Sequence, residues 1–173
     1  MKNSTTRRLR QIPSGCLLVG IDPHKKRHAV TIMTPQAMIV SKFKVTNTLD
    51  GFKELLHRVD LEVKRQAAQG VVYALEAGCH FWRNLAFFLE AKGQTFRLVN
   101  PYTLKRRREG EDLNRRKNDF RDAEMAAELL RTGKFTETEL PQGIYAELRI
   151  AYKAYRRVRC QQTRVVNLLL GLH

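Results

Sequence analysis

Four carboxylates occupy positions from which they could hold a cation. Asp22 closes the apolar run CLLVGID, and Glu76 closes a second apolar run at 71–75. An acid straight after an apolar strand is often only a turn residue. In open α/β sheets, however, ligand sites gather beyond the carboxyl ends of strands. If the two runs are parallel neighbours, Asp22 and Glu76 meet there. Asp119 and Asp122 lie three apart in a segment of helical periodicity and share a face. Ala123, Ala126, Ala127 and Leu130 turn that helix toward a core, so the two acids fall near its buried edge. Bunched carboxylates repel one another and need a cation. Hard oxygen donors at an open site suit Mg²⁺ or Mn²⁺. Two such ions ~3.5–4 Å apart cleave or transfer phosphodiesters, one activating the attacking oxygen and the other stabilising the leaving one.

The charge of the chain points to the same substrate class. Its 173 residues carry 32 Lys and Arg against 17 Asp and Glu, a net charge of +15. Such an excess is the footprint of a DNA or RNA partner. The basic residues cluster: Arg7, Arg8 and Arg10; Lys25, Lys26 and Arg27; Lys105, Arg106, Arg107 and Arg108; Arg115, Arg116 and Lys117; and the terminal segment with Lys153, Arg156, Arg157, Arg159 and Arg164. Two of these clusters flank the acids. Tyr102, beside 105–108, is a candidate for stacking on a base. His24 and Lys25, next to Asp22, read as phosphate contacts. Phe81, Trp82, Phe87 and Phe88 repeat at helical spacing and read as core. Cys79 reads as a packing thiol. His24, His28, Cys79 and His80 lack the regular spacing of a structural zinc site.

Other classes are excluded. No stretch approaches ~20 consecutive apolar residues, so no transmembrane helix is expected. The polar, basic start lacks the apolar region of a secretory signal. Cys16, Cys79 and Cys160 are odd in number and scattered, which argues for a reducing, cytoplasmic setting rather than a disulfide framework. There is no Gly-rich phosphate loop.

Among the segments that must position the site, 1–14 reads as a flexible basic tail. The runs 16–22, 27–33 and 38–45 read as three strands of an antiparallel meander. Thr48 or Asn47 then caps a helix carrying Leu49, Phe52, Leu55, Leu56, Val59 and Val63, with Gly70 as its end. A buried strand at 71–75, a helix through Phe81 to Leu89 stopped by Gly93, and a fifth strand at 95–99 follow. The order β-β-β-α-β-α-β predicts a mixed sheet with helices packed on it. Residues 109–116 read as a mobile loop, and 118–130 as the helix of the paired aspartates. From Ile144, apolar residues step by four and three through Leu148, Ala151, Tyr155, Val158, Val165, Leu169 and Leu172, with Gln162 interrupting. This is a heptad seam of the coiled-coil type.

These blocks together resemble a known family. Val19-Gly20-Ile21-Asp22-Pro23-His24-Lys25-Lys26, Ala74-Leu75-Glu76-Ala77-Gly78, Val99-Asn100-Pro101 and Lys117-Asn118-Asp119-Phe120-Arg121-Asp122-Ala123 are similar, in order, to those of the DEDD transposases. These belong to the insertion-sequence one-hundred-ten family, the bridge-RNA-guided recombinases. The resemblance runs from about 17 to 130 plus the start of the arm. It implies a RuvC-like, ribonuclease-H-like α/β domain at 15–135, with a five-stranded mixed sheet. A coiled-coil arm would begin at 141–173. It implies that Asp22, Glu76, Asp119 and Asp122 are catalytic ligands of two Mg²⁺ or Mn²⁺ ions. It also implies DNA cleavage and strand exchange guided by a structured RNA, in a homo-oligomer joined through the terminal helix. Such a protein would reside in the cytoplasm of a bacterium or archaeon, on the nucleoid when bound to DNA. Family members carry a further C-terminal domain with a catalytic serine, and the resemblance implies that this sequence stops before it. Two other readings remain open: a Holliday-junction-resolvase-like nuclease, and a truncated, catalytically idle nucleic-acid-binding module.

Overall fold

The computed structural model describes residues 4–78, 80–111, 118–136, 140 and 143–171. The chain divides into two units, Met1–Thr138 and Glu139–His173. The first is built on a five-stranded mixed sheet of order β3-β2-β1-β4-β5. Strands β1 (Cys16–Asp22), β2 (Arg27–Met33) and β3 (Ile39–Thr46) form the antiparallel meander, while β4 (Gly70–Glu76) and β5 (Phe96–Val99) run parallel to β1. A five-stranded mixed sheet with flanking helices is what the sequence leads one to expect.

Burial follows the topology. The central strand β1 is buried at every residue, as expected of a strand covered on both faces. The edge strand β3 alternates, with Phe43 and Val45 buried and Lys42, Lys44 and Thr46 exposed. Helix α2 (Leu49–Arg65) starts where Thr48 Oγ1 accepts from the Gly51 N–H at 3.2 Å. Helix α3 is Trp82–Ala91. Strand alternation sends Leu17, Val19, Ile21, Tyr73 and Leu75 to one face of the sheet, with Phe52, Leu55, Val59, Leu85 and Leu89 supplying the helical side of that core. Cys16, Leu18, Val72, Ala74 and Val99 pack on the other face. They meet Leu104 of α4 (Pro101–Glu111) and Met125, Ala126, Leu129 and Leu130 of α5 (Asp119–Arg131).

The structure departs from several expectations. The segment 1–14 contains a short helix, α1 (Ser4–Leu9), instead of a purely flexible tail. A Cβ at Gly133 would lie 3.1 Å from Leu9 and 3.2 Å from Thr5, so α1 is seated on the turn that ends α5. Helix α4 reaches Glu111, into the stretch read as a loop; residues 112–117 lie outside the described ones. Asn100 starts it by accepting from the Tyr102 N–H at 2.8 Å, and Pro101 fits the first helical position. Helix α2 ends at Arg65, where Ala67 takes the left-handed conformation (φ 49°), so Gly70 opens β4 rather than stopping a helix. In α3 the core is Leu85, Ala86 and Leu89, whereas Phe87 is 42% exposed and Phe81, Trp82 and Phe88 are half-buried.

The second unit is α6 (Gly143–Leu170), 28 residues long and without a buried residue. Its seam residues Ile144, Leu148, Tyr155, Val158, Val165 and Leu169 are all exposed.

One contact sets the whole arrangement. A Cβ on Gly20 would stand 1.9 Å from the Ala123 carbonyl oxygen and 2.6 Å from the Ala127 nitrogen. Glycine in mid-strand lets the backbone of α5 lie directly on β1. Gly20→Ala is expected to lower stability by at least about 2 kcal/mol, the cost of overpacking a dense core. A shift of the urea midpoint checks this. An unchanged midpoint would mean that α5 does not lie on β1 as described.

Candidate metal centre

The parallel register Ile21 to Leu75 puts residues 22 and 76 on the next rung of adjacent strands. Neighbouring strands lie about 4.8 Å apart. By alternation Asp22 shares its face with Cys16, Leu18 and Gly20, and Glu76 shares its face with Val72 and Ala74. Both acids therefore point to the side that α5 covers. Asn118 caps α5, its Oδ1 accepting from the Phe120 N–H at 3.0 Å, so Asp119 and Asp122 fall in the first turn. That turn is tied to the sheet. Thr31 Oγ1 donates to the Phe120 carbonyl at 3.2 Å, Lys44 Nζ meets Asp119 Oδ2 at 2.6 Å, and Lys42 Nζ meets Glu124 Oε2 at 2.8 Å. The two lysines alternate with Phe43 and Val45 on β3, and so reach α5 together.

The electrostatics bind the acids into one knot. Asp22 is 6% exposed and Asp122 2%. Burial pushes the Asp22 carboxyl up from 3.8 to about 7; His24 opposes the rise, and the charges of Glu76, Asp122 and Asp119 add to it. His24 lies against two of the acids, with Nδ1 3.5 Å from Asp22 Oδ2 and Nε2 3.8 Å from Asp119 Oδ1. Asp22 Oδ2 is buried without a hydrogen bond. An orphaned carboxylate oxygen among further carboxylates fits a hard divalent cation: the atom lacks a donor, and the surrounding donors are those Mg²⁺ and Mn²⁺ take. Behind the knot, His28 is fully buried and its ring stacks on Phe52 at 5.8 Å between centroids. Burial pulls its pKa down to about 4, so it is neutral and its Nδ1 accepts from the His24 N–H at 3.2 Å.

The basic residues separate into groups. Lys25 and Lys26, in the turn that follows Asp22, and Arg27, which opens β2, are exposed. Tyr102 is 63% exposed with the Arg106 guanidinium 5.5 Å from its ring centre, and Lys105 is exposed on the same helix. Arg107 instead reaches Glu128 of α5 at 3.2 Å, in a network with Arg131. The Arg108 side chain, Arg115, Arg116, Lys117 and Cys79 lie outside the described residues. Sequence reasoning missed Lys44, and assigned His24 to phosphate rather than to the knot. The lysine signal was present: i, i+2 lysines on an alternating edge strand share a face, although their helical partners are not local. Among the described residues, Asp22, His24 and Asp119 each offer a donor atom within 4.8 Å of the others.

A family model named for the DEDD transposases of IS110, and described as Transposase, matches residues 19–172. The chain belongs to the DEDD transposases. Among solved structures, it is similar to Thermus thermophilus RuvC at 13% identity, over 69% of this chain and 98% of that one, with a TM-score of 0.45. The T. thermophilus RuvC solved with a Holliday junction substrate is 16% identical over 67% and 91%, with a TM-score of 0.41. A Ppx/GppA family member from Aquifex aeolicus is 14% identical over 51% of this chain and 36% of that one, with a TM-score of 0.36. No curated protein matches the chain. No helix among the described residues is long and apolar enough to cross a membrane.

Asp22 in this transposase domain makes the metal-free fold pH-dependent. Its folded pKa is raised, so its contribution is complete below about pH 4 and is lost as pH rises toward about 7. Asp22→Asn cannot ionise and escapes that loss. In EDTA at pH 8 the variant is expected to melt at a higher temperature than the parent, and the difference should vanish near pH 4. Equal melting temperatures at both pH values would refute the desolvated knot.

Proposed function

We propose that this domain performs metal-dependent cleavage and strand exchange of DNA during transposition, directed by a structured RNA. Asp22, Glu76, Asp119 and Asp122 act as the ligand acids of two Mg²⁺ or Mn²⁺ ions. The observation that carries the reading is the gathering of these acids around Asp22 Oδ2, which is buried without a hydrogen bond. When bound, the ions supply Lewis acidity to the attacking and leaving oxygens of a phosphodiester. The protein's own share is placement. Strands β1 and β4 hold Asp22 and Glu76 side by side on one rung, and α5 delivers the other two acids in one turn. Lys44 balances the outward oxygen of Asp119. Lys25, Lys26 and Arg27 lie beside the site, where they would receive phosphates, and Tyr102 with Arg106 offers a stacking surface for a base. Sequence choice falls to the guide RNA, because phosphate contacts carry none. The exposed heptad seam of α6 supports a homo-oligomer.

The test compares the chain with a variant carrying Asp22→Ala and Glu76→Ala. Branched DNA is incubated with each, with and without the element's RNA, in Mg²⁺, Mn²⁺ or EDTA. Cleavage by the parent in either metal, lost in EDTA and in the variant, is expected, while the variant retains salt-dependent DNA binding. A parent that binds RNA and cuts nothing would sink the nuclease reading and leave a binding module. Cutting of four-way junctions without RNA would favour a resolvase.

A further inference from the structure

The four-acid reading leaves His24 without a task, yet its imidazole sits inside the knot. We propose that His24 is itself a ligand of the metal site, through Nε2, and that this nitrogen shifts the site's preference from Mg²⁺ toward Mn²⁺ and Co²⁺. The inference rests on the metal reading of the acids given above.

Geometry carries it. The His24 nitrogens stand 3.5 Å from Asp22 Oδ2 and 3.8 Å from Asp119 Oδ1. Both separations exceed a good hydrogen bond. The Nε2–Asp119 separation matches the spacing of donors around one cation, because metal–donor bonds of roughly 2.0–2.2 Å set neighbouring ligands roughly 3–4.4 Å apart. One donor atom each from Asp22, His24 and Asp119 falls within 4.8 Å of the others. The ring is also oriented for the task. Nδ1 lies 3.4 Å from the Asp22 carbonyl oxygen. An N–H there turns to the backbone and leaves the Nε2 lone pair toward Asp119, the arrangement by which ligating histidines are held.

The backbone beneath the ring is fixed before any cation arrives. Pro23 restricts the turn. The His24 N–H donates to His28 Nδ1 at 3.2 Å, and Asn47 Nδ2 donates to the carbonyls of His24 and Lys25 at 3.5 and 3.3 Å. An independent sign that something is to be bound is Asp22 Oδ2, on a residue more than nine-tenths buried and without a hydrogen bond. A histidine serving only as an ion-pair partner would close on that oxygen. An all-carboxylate set suits Mg²⁺, whereas imidazole favours the later first-row metals.

The full chain is titrated with Mg²⁺, Mn²⁺ and Co²⁺ by calorimetry, and bound Mn²⁺ is examined by pulsed EPR for nitrogen coupling. The parent is expected to show that coupling. It should vanish in His24→Asn and persist in His57→Asn, a change on α2. In His24→Asn the Co²⁺ affinity should fall roughly tenfold or more while Mg²⁺ affinity moves less than about threefold. His24→Asp restores an oxygen donor and should bind Mg²⁺ better relative to Co²⁺ than the parent does. Melting curves of each variant establish that it is folded. Metal binding that is lost in Asp22→Asn but shows no nitrogen coupling, or equal losses for Mg²⁺ and Co²⁺ in His24→Asn, overturns the role of His24 and leaves the acids standing. A parent that binds none of the three metals removes both readings.

Discussion

The structure depends on one approach of backbone to backbone. At Gly20 the helix α5 rests on β1 with no side chain between them. Only from that distance can Asp119 and Asp122 reach the end of the sheet where Asp22 and Glu76 emerge. The ties around it depend on the same seating: Thr31 to the Phe120 carbonyl, and Lys44 and Lys42 to Asp119 and Glu124. Exposed ion pairs of this sort add little stability by themselves. Their effect is on registration. Lysines two apart on a strand are matched to acids five apart on a helix, so α5 cannot slide without breaking both.

The site works against the fold that contains it. A protein with a net charge of +15 gathers four acids at one end of its sheet and buries two of them. Burial and mutual repulsion hold Asp22 neutral well above the ordinary carboxylate range. Lys44 and His24 relieve part of this from opposite sides of Asp119. What they leave unrelieved is the affinity with which a cation would be taken up. Lys25, Lys26 and Arg27 stand exposed beside the acids.

Much of this was legible from residue order because it is written in local patterns. Continuous apolar runs announced β1 and β4, a cap at Thr48 or Asn47 announced α2, and apolar residues at helical spacing announced α5. The acids were found by position at strand ends and by spacing on one helix. What escaped is what depends on partners far along the chain. Helix α1 looked like a loose basic tail because its anchor, the turn at Gly133, lies more than a hundred residues away in sequence. Arg107 looked like its neighbours in a basic run, although Glu128 claims it. The aromatic residues of α3 have the spacing of a core, but the sheet takes the Leu85, Ala86 and Leu89 side of that helix instead. His24 carries no periodic signal; only the turn around Pro23 shows where its ring goes.

The order of assembly has a consequence of its own. The meander β1-β2-β3 joins residues close in sequence, so it can form early, whereas the β1–β4 pairing and the docking of α5 close long loops and come late. In that order Asp22 takes its place with the meander, and its three acidic neighbours arrive only as the chain completes the sheet and lays α5 across it. A half-folded chain holds a lone aspartate at the end of a hairpin, without the other three acids around it. The gathering of the four acids and the completion of the fold become the same event.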